Sequence, residues 1–227
     1  MSRLRFLNTN SSRGGDRSSS VAHTKKMKIC FLTILTSIIH FHCSGQEILK
    51  VTAELGDTTS YEEVTIPLIG GCSLGCAIDW NMTASSSSER HMGKSFDIDN
   101  LEDGDPSTAW AEGNYGHGIG EQINITFQSI DTFDIIFYEI GLNNGYCKSK
   151  ETWKANSRVK KALLKKNGEP KLILNFLDSM YPQIFKWDTY YMTVTNGDVV
   201  TIEILEVYKG EKYEVTAISD LYLMGAH

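Results

Sequence analysis

Two hundred and twenty-seven residues suffice for one large all-β domain or two small ones, and a hydrophobic content of 41% is too high for a disordered chain. The net charge of −6 conceals a division: residues 1–45 hold seven Lys/Arg and one acid, leaving 15 Lys/Arg against 27 Asp/Glu, or −12, in residues 46–227. Such an acidic body excludes a general nucleic-acid binder, which needs cations to meet phosphates, and suits cationic or neutral ligands.

Residues 1–26 are rich in Ser, Arg, Gly and Asn with almost no apolar periodicity, the composition of a disordered tail. Lys25-Lys26-Met27-Lys28 then precedes an apolar run over 29–41, and Ser44-Gly45 follows. A basic flank, a short apolar run and a small-residue exit form a secretory signal peptide, and the run is too short to span a bilayer comfortably. The expected location is therefore secreted, or cell-surface/periplasmic. A signal normally starts a chain, so Met27 is read as the initiator, and cleavage after Gly45 leaves Gln46 first. Cys43 offers an alternative, a lipid-anchored cysteine. Export makes Cys72, Cys76 and Cys147 interpretable: an odd count implies one disulfide and one free thiol. Cys72 and Cys76 are near enough to bridge the loop between them, although spacing leaves the pairing open. Without a His at ligand spacing they make a poor zinc site.

Residues 46–71 read as a short N-terminal extension that opens amphipathically and carries one edge strand at Val64, Ile66 and Leu68. Residues 83–89 form a small polar loop. Then Asn100-Leu-Glu-Asp-Gly-Asp-Pro-Ser-Thr-Ala-Trp110 packs turn chemistry, carboxylates and a hydroxyl ahead of a large aromatic. Asp103, Asp105 and Thr108 offer oxygens for a hard cation such as calcium, and equally fit a plain Asp turn before a buried Trp. Gly116-x-Gly118-x-Gly120 lacks the last fingerprint glycine and a following helix, so it reads as a tight turn and not a dinucleotide loop.

Ile123, Ile125 and Phe127 alternate with polar residues as a half-buried strand, and residues 133–140 form a second, β-branched and aromatic one. Asn167-Gly168 between 159–166 and 171–176 signals a hairpin. Residues 201–207 and 217–223 complete the series, and residues 46–227 show no sustained helical period. Short strands separated by turns predict an antiparallel sandwich or barrel.

The ordered string Cys72-x-x-x-Cys76-Ala-Ile-x-Trp80, the 100–110 loop, Gly116-His-Gly-Ile-Gly-Glu121, Asn144-Gly-Tyr-Cys-Lys148, Asn156-Ser-Arg158, Val207-Tyr-Lys-Gly-Glu211 and Ala217-Ile-Ser-Asp220 resembles the discoidin-like, galactose-binding-like domain. In detail it is similar to the glycan-binding translocation domain of bacterial NAD-glycohydrolase toxins. The resemblance implies an all-β, antiparallel jelly-roll β-sandwich over residues 72–227, with its function in loops at one end. It also implies a structural calcium on Asp103, Asp105, Thr108 and Asp220, with the departure that a longer Glu is usual at the last position. No stretch of this sequence outside residues 70–227 is expected to hold the toxin's enzymatic domain.

Two groups of residues are candidate ligand contacts. Tyr115, His117, Tyr146 and Trp153 lie in loop-like segments and suit the apolar faces of a glycan, with Asn144, Asn156 and Arg158 to bond hydroxyls; alternatively they pack and tie strands. Nine of the 15 cations of residues 46–227 fall within 148–171, as a solvated strand face or as a patch for anionic glycans or lipid headgroups. The leading expectation is a secreted, non-catalytic carbohydrate-binding module whose partner is a glycan or glycoconjugate. The alternative is a structural or adhesive module for a protein or membrane surface. A His117-centred acid/base pair can be drawn, but neither a nucleophile elbow nor a catalytic zinc pair accompanies it.

Overall fold

A computed structural model describes residues 47–56, 74–91, 94–128, 134–189 and 191–226. The signal segment, Cys43, the strand expected at 64–68 and Cys72, and with it the Cys72–Cys76 disulfide, lie outside the described residues. The elements in chain order are β1 (Leu49–Thr52), β2 (Glu54–Leu55), β3 (Asp79–Ala84), β4 (Ser88–His91), β5 (Lys94–Phe96), β6 (Trp110–Ala111), β7 (Gln122–Gln128), β8 (Ile135–Asn144), α1 (Lys150–Ala155), β9 (Arg158–Lys166), β10 (Glu169–Asn175), β11 (Gln183–Lys186), β12 (Thr193–Val194), β13 (Val199–Tyr208) and β14 (Ala217–Ala226), with 3-10 turns at Leu74–Cys76 and Ile98–Leu101.

The strands form a jelly-roll sandwich of two sheets, ordered β1-β10-β9-β13-β7-β3 and β2-β11-β8-β14-β6, with β12 beside β8 and a separate β4–β5 pair. Among the described strands every pairing is antiparallel except β1 on β10. Residues 49–55, expected as an extension, instead add an edge strand to each sheet, with Ala53 as the crossing point.

Strand periodicity places the core. Ile123, Ile125 and Phe127 of β7 are buried while Gln122, Asn124 and Thr126 are partly exposed, as a period of two requires. Phe137 of the facing sheet meets Phe127 edge-on at 6.0 Å between ring centroids and Trp187 at 5.1 Å, a geometry favoured by the ring quadrupoles. At the β9–β10 turn, Asn167 and Gly168 take φ of 51° and 81°, the paired positive angles that match a hairpin to strand twist.

Candidate functional site

The 100–110 loop is rigid because its own side chains close it. Asn100 Nδ2 donates to the carbonyls of Ser95 (3.0 Å) and Ala109 (2.8 Å). The Asp105 amide donates to Asp103 Oδ1 at 2.9 Å, the Ser107 amide to Asp105 Oδ1 at 2.8 Å, and the Thr108 hydroxyl to Asp103 Oδ2 at 2.7 Å. Strand pairing brings the distant acid to this loop. Asp220 of β14 sits opposite Asn143 of β8 and lines, with Glu102 and Gly104, a cavity of about 200 Å³. Burial raises the Asp220 carboxyl from 3.8 to about 6; the Asn143 amide opposes the rise, and the charges of Asp103 and Asp105 add to it.

Among the described residues no three acidic, His or Cys side chains meet closely enough to form a metal cluster by themselves. A hard cation nevertheless fits the donor chemistry. Asn143 Oδ1 and Asp220 Oδ1 are buried with no hydrogen-bond partner, although Asn143 Nδ2 donates to the other Asp220 oxygen at 2.9 Å. Two orphaned acceptors side by side are costly, and their chemistry suits an oxygen-seeking cation. Asn143 was not legible as a participant, because a lone Asn at a strand end carries no motif.

The expected ligand contacts divide. Asn144 is buried and clamps one sheet to the other, its Nδ2 donating to Val159 O at 2.7 Å and its Oδ1 accepting from Val159 N at 2.9 Å. Trp153, expected in a loop, lies in α1, where its indole donates to Asn144 O at 2.8 Å. The helix forms because Ser149 and Thr152 make a reciprocal capping box. Arg158 bonds Asp178 at 2.8 Å and stacks 4.2 Å over Trp153. Only glycine fits beneath this stack: a Cβ on Gly145 would come within 2.6 Å of Trp153. His117 braces the glycine-rich loop, its Nδ1 2.8 Å from Ser157 Oγ and its amide donating to Glu214 O. Tyr115 on that loop is fully exposed.

Tyr146 and Asn156 instead reach an open cleft of about 760 Å³ at the end of the second sheet. Its apolar floor includes Phe96, Tyr146, Val215 and Ala217, with Tyr213 and Asn156 at the wall. Phe96 and Tyr146 meet edge-on at 5.8 Å and 85°. Phe96 and Tyr213 escaped sequence reasoning because neither sits in a motif or a periodic segment. The cleft and the cation cradle are joined by two segments: Tyr146 lies just past the end of β8, three residues after Asn143, and Ala217 opens β14, three residues before Asp220.

Six of the nine cations in 148–171 are in ion pairs: Arg158 with Asp178, Lys160 and Lys161 with Glu206, Lys165 with Glu203, Lys166 with Asp198 and Lys171 with Glu169. The cluster expected as a solvated strand face or as an anion patch is thus mostly paired with carboxylates. Cys147 is a buried free thiol, and burial pushes it up to about 12. Iodoacetamide is expected to label Cys147 about a hundredfold more slowly in the folded protein than in denaturant, as followed by peptide mass spectrometry. Equal rates would refute its burial.

The sequence model for the "NAD glycohydrolase translocation F5/8 type C domain" matches residues 75–224. No curated protein matches the chain. Among solved structures, the CBM32-1 and CBM32-2 domains of Clostridium perfringens ZmpB, in complex with GalNAc, are similar with a TM-score of 0.50 and 9% identity, covering 80% of this chain and 40% of that one. A ZmpB structure that adds the M60 catalytic domain aligns with a TM-score of 0.49 and 9% identity, over 82% of this chain and 17% of that one. The C-terminal domain of a chitobiase from Bacteroides fragilis aligns with a TM-score of 0.46 and 16% identity, over 65% of this chain and 94% of that one. At these identities the first likeness supports the fold alone. The chain spans well under two thirds of either ZmpB structure.

Proposed function

Because the chain belongs to the NAD glycohydrolase translocation F5/8 type C domain family, we propose that it is a secreted, non-catalytic glycan-binding module whose sugar sits on the Phe96–Tyr146 floor with Tyr213 against one face. The observation that carries this reading is the cleft: an open, aromatic-floored depression with amide and hydroxyl groups at its wall, the composition that meets a pyranose's apolar face and hydroxyls together. The GalNAc held in the ZmpB complex points to the same ligand class. Calcium, in this reading, is held by Asp220 and Asn143 with oxygens of the 103–108 loop, and stiffens the strands that carry the cleft. Export follows from the signal pattern at 25–45.

The absence of catalysis in this proposal rests on access. Ser157, His117 and Glu214 line up in the manner of a nucleophile, base and acid, with His117 Nε2 3.7 Å from Glu214. Ser157, however, is wholly buried, accepting from the Gly210 amide at 3.1 Å and bonding Tyr213 O at 3.3 Å. No substrate reaches it, and the trio serves as a loop brace.

Glycan-array binding of the protein, in calcium and in chelator, tests the proposal. Tyr213→Ala, at a half-exposed position, is expected to weaken binding about tenfold with an unchanged melting temperature. No glycan bound in either buffer would overturn the reading. A second reading, attachment to a protein or membrane surface, draws on the exposed Tyr115 and Ile119 of the glycine-rich loop. Binding to anionic vesicles that survives excess sugar would favour it.

A further inference from the structure

The cleft just described has a charge pattern that a neutral sugar would leave unused. Three lysines, Lys94, Lys148 and Lys212, line it and are exposed. Among the described residues no ion pair holds any of them, whereas the lysines of the neighbouring β9–β13 face are matched to carboxylates across strands. Lys94 Nζ lies 3.4 Å from the Tyr146 hydroxyl, and Lys212 Nζ rests 4.9 Å over the Tyr213 ring. The Lys94 ammonium, in turn, sits close enough to Lys148 to lower the latter's pKa. Neighbouring like charges repel and gain from an anion placed between them. One carboxylate, Glu151, shares the lining at the start of α1; it leaves the cleft with an excess of two positive charges in a chain that is acidic elsewhere.

We propose that the cleft selects sugars bearing a negative group, a carboxylate or a sulfate ester, which the Lys94, Lys148 and Lys212 ammonium groups hold while the ring lies on Phe96 and Tyr146. The inference rests on the glycan-binding reading and adds to it the class of sugar. Apolar floor and cationic rim act on different parts of one ligand: the floor takes the ring carbons, and the rim takes the charge by charge-assisted hydrogen bonds. Binding is then salt-dependent in a way that ring stacking is not.

The test titrates the whole protein by NMR with three ligands that differ only at one carbon: galactose, galacturonic acid and galactose 6-sulfate, with inorganic sulfate as a fourth arm. The acidic sugars are expected to bind about tenfold more tightly than galactose at low salt. The advantage should vanish at about 1 M salt, where the Debye length falls to about 3 Å. Lys94→Gln with Lys148→Gln should bring the affinity of the acidic sugars down to that of galactose for the same variant, with an unchanged melting temperature. Equal affinity for neutral and acidic sugars overturns the inference and leaves the glycan reading intact. Binding of none of the sugars overturns both. Inorganic sulfate binding as tightly as galactose 6-sulfate overturns the inference by showing that the ring contributes nothing. Anionic vesicles that bind through these lysines while sugars do not would overturn it in favour of a membrane.

Discussion

Trp110→Ala is expected to lower the unfolding free energy by about 3–5 kcal/mol, the range for emptying a fully buried large aromatic site. Trp110 has no exposed surface, its strand pairs with β14 at Ile218, and its indole donates to Ser86 O at 3.0 Å. Truncation thus removes packing and a buried hydrogen bond together. For a domain of this size the melting temperature should fall by about 10 °C. Trp110→Phe, which keeps most of the volume, should fall by less. A denaturant midpoint shift equivalent to under about 1 kcal/mol for the alanine variant would show that the 100–110 loop does not depend on this side chain.

The second large effect is a pH dependence with an unusual sign. The folded Asp220 carboxyl is raised from 3.8 to about 6, so between those values the folded state holds a proton that the unfolded state has released. Its stabilising contribution is complete below about pH 4 and is lost as pH rises through about 6, up to about 3 kcal/mol in all. Most folded carboxylates act in the opposite direction; Asp198 and Glu206 are lowered, Asp198 by bonds from Asn167 and Lys166 and Glu206 by bonds from Lys161 and Lys160. The Asp220 contribution is therefore read as the difference between the native protein and Asp220→Asn, both in chelator, by denaturant unfolding across pH 4–7. Saturating calcium should restore about 2.7 kcal/mol at a hundred times its dissociation constant, and should do so for the native protein and not for Asp220→Asn. Parallel pH curves for the two proteins, together with no calcium-dependent shift, would sink the cation cradle.

Much of the sandwich was legible because its signals are local. Alternation at Ile123, Ile125 and Phe127 and the Asn167-Gly168 turn each fix a strand or a reversal within a few residues. The α1 helix was not: six residues make less than two turns, too short for any periodicity, and its one local mark is the Ser149–Thr152 cap. Asn144, Trp153 and Arg158, three of the seven candidate ligand contacts, meet one another as a brace between strands and α1. Sequence cannot separate a hydrogen-bonding side chain that faces a ligand from one that faces Val159 or Asp178. The cleft itself joins β5, the segment after β8, α1 and the start of β14, segments as far apart as Phe96 and Ala217, and no single stretch announces it. Its lysines were obscured because six paired cations in the same stretch look identical on paper to Lys148.

Residues 49–55 set the margin of both sheets at once. By crossing at Ala53 from the first leaf to the second, this short stretch covers the outer rows of amides and carbonyls on β10 and β11 in one pass. A molecule clipped ahead of residue 56 would bare two ragged flanks at once, each a template on which another molecule's strand can dock. The cover over those two flanks thus depends on a few amino acids at the margin of the domain, far in sequence from Tyr146 and Tyr213 of the cleft.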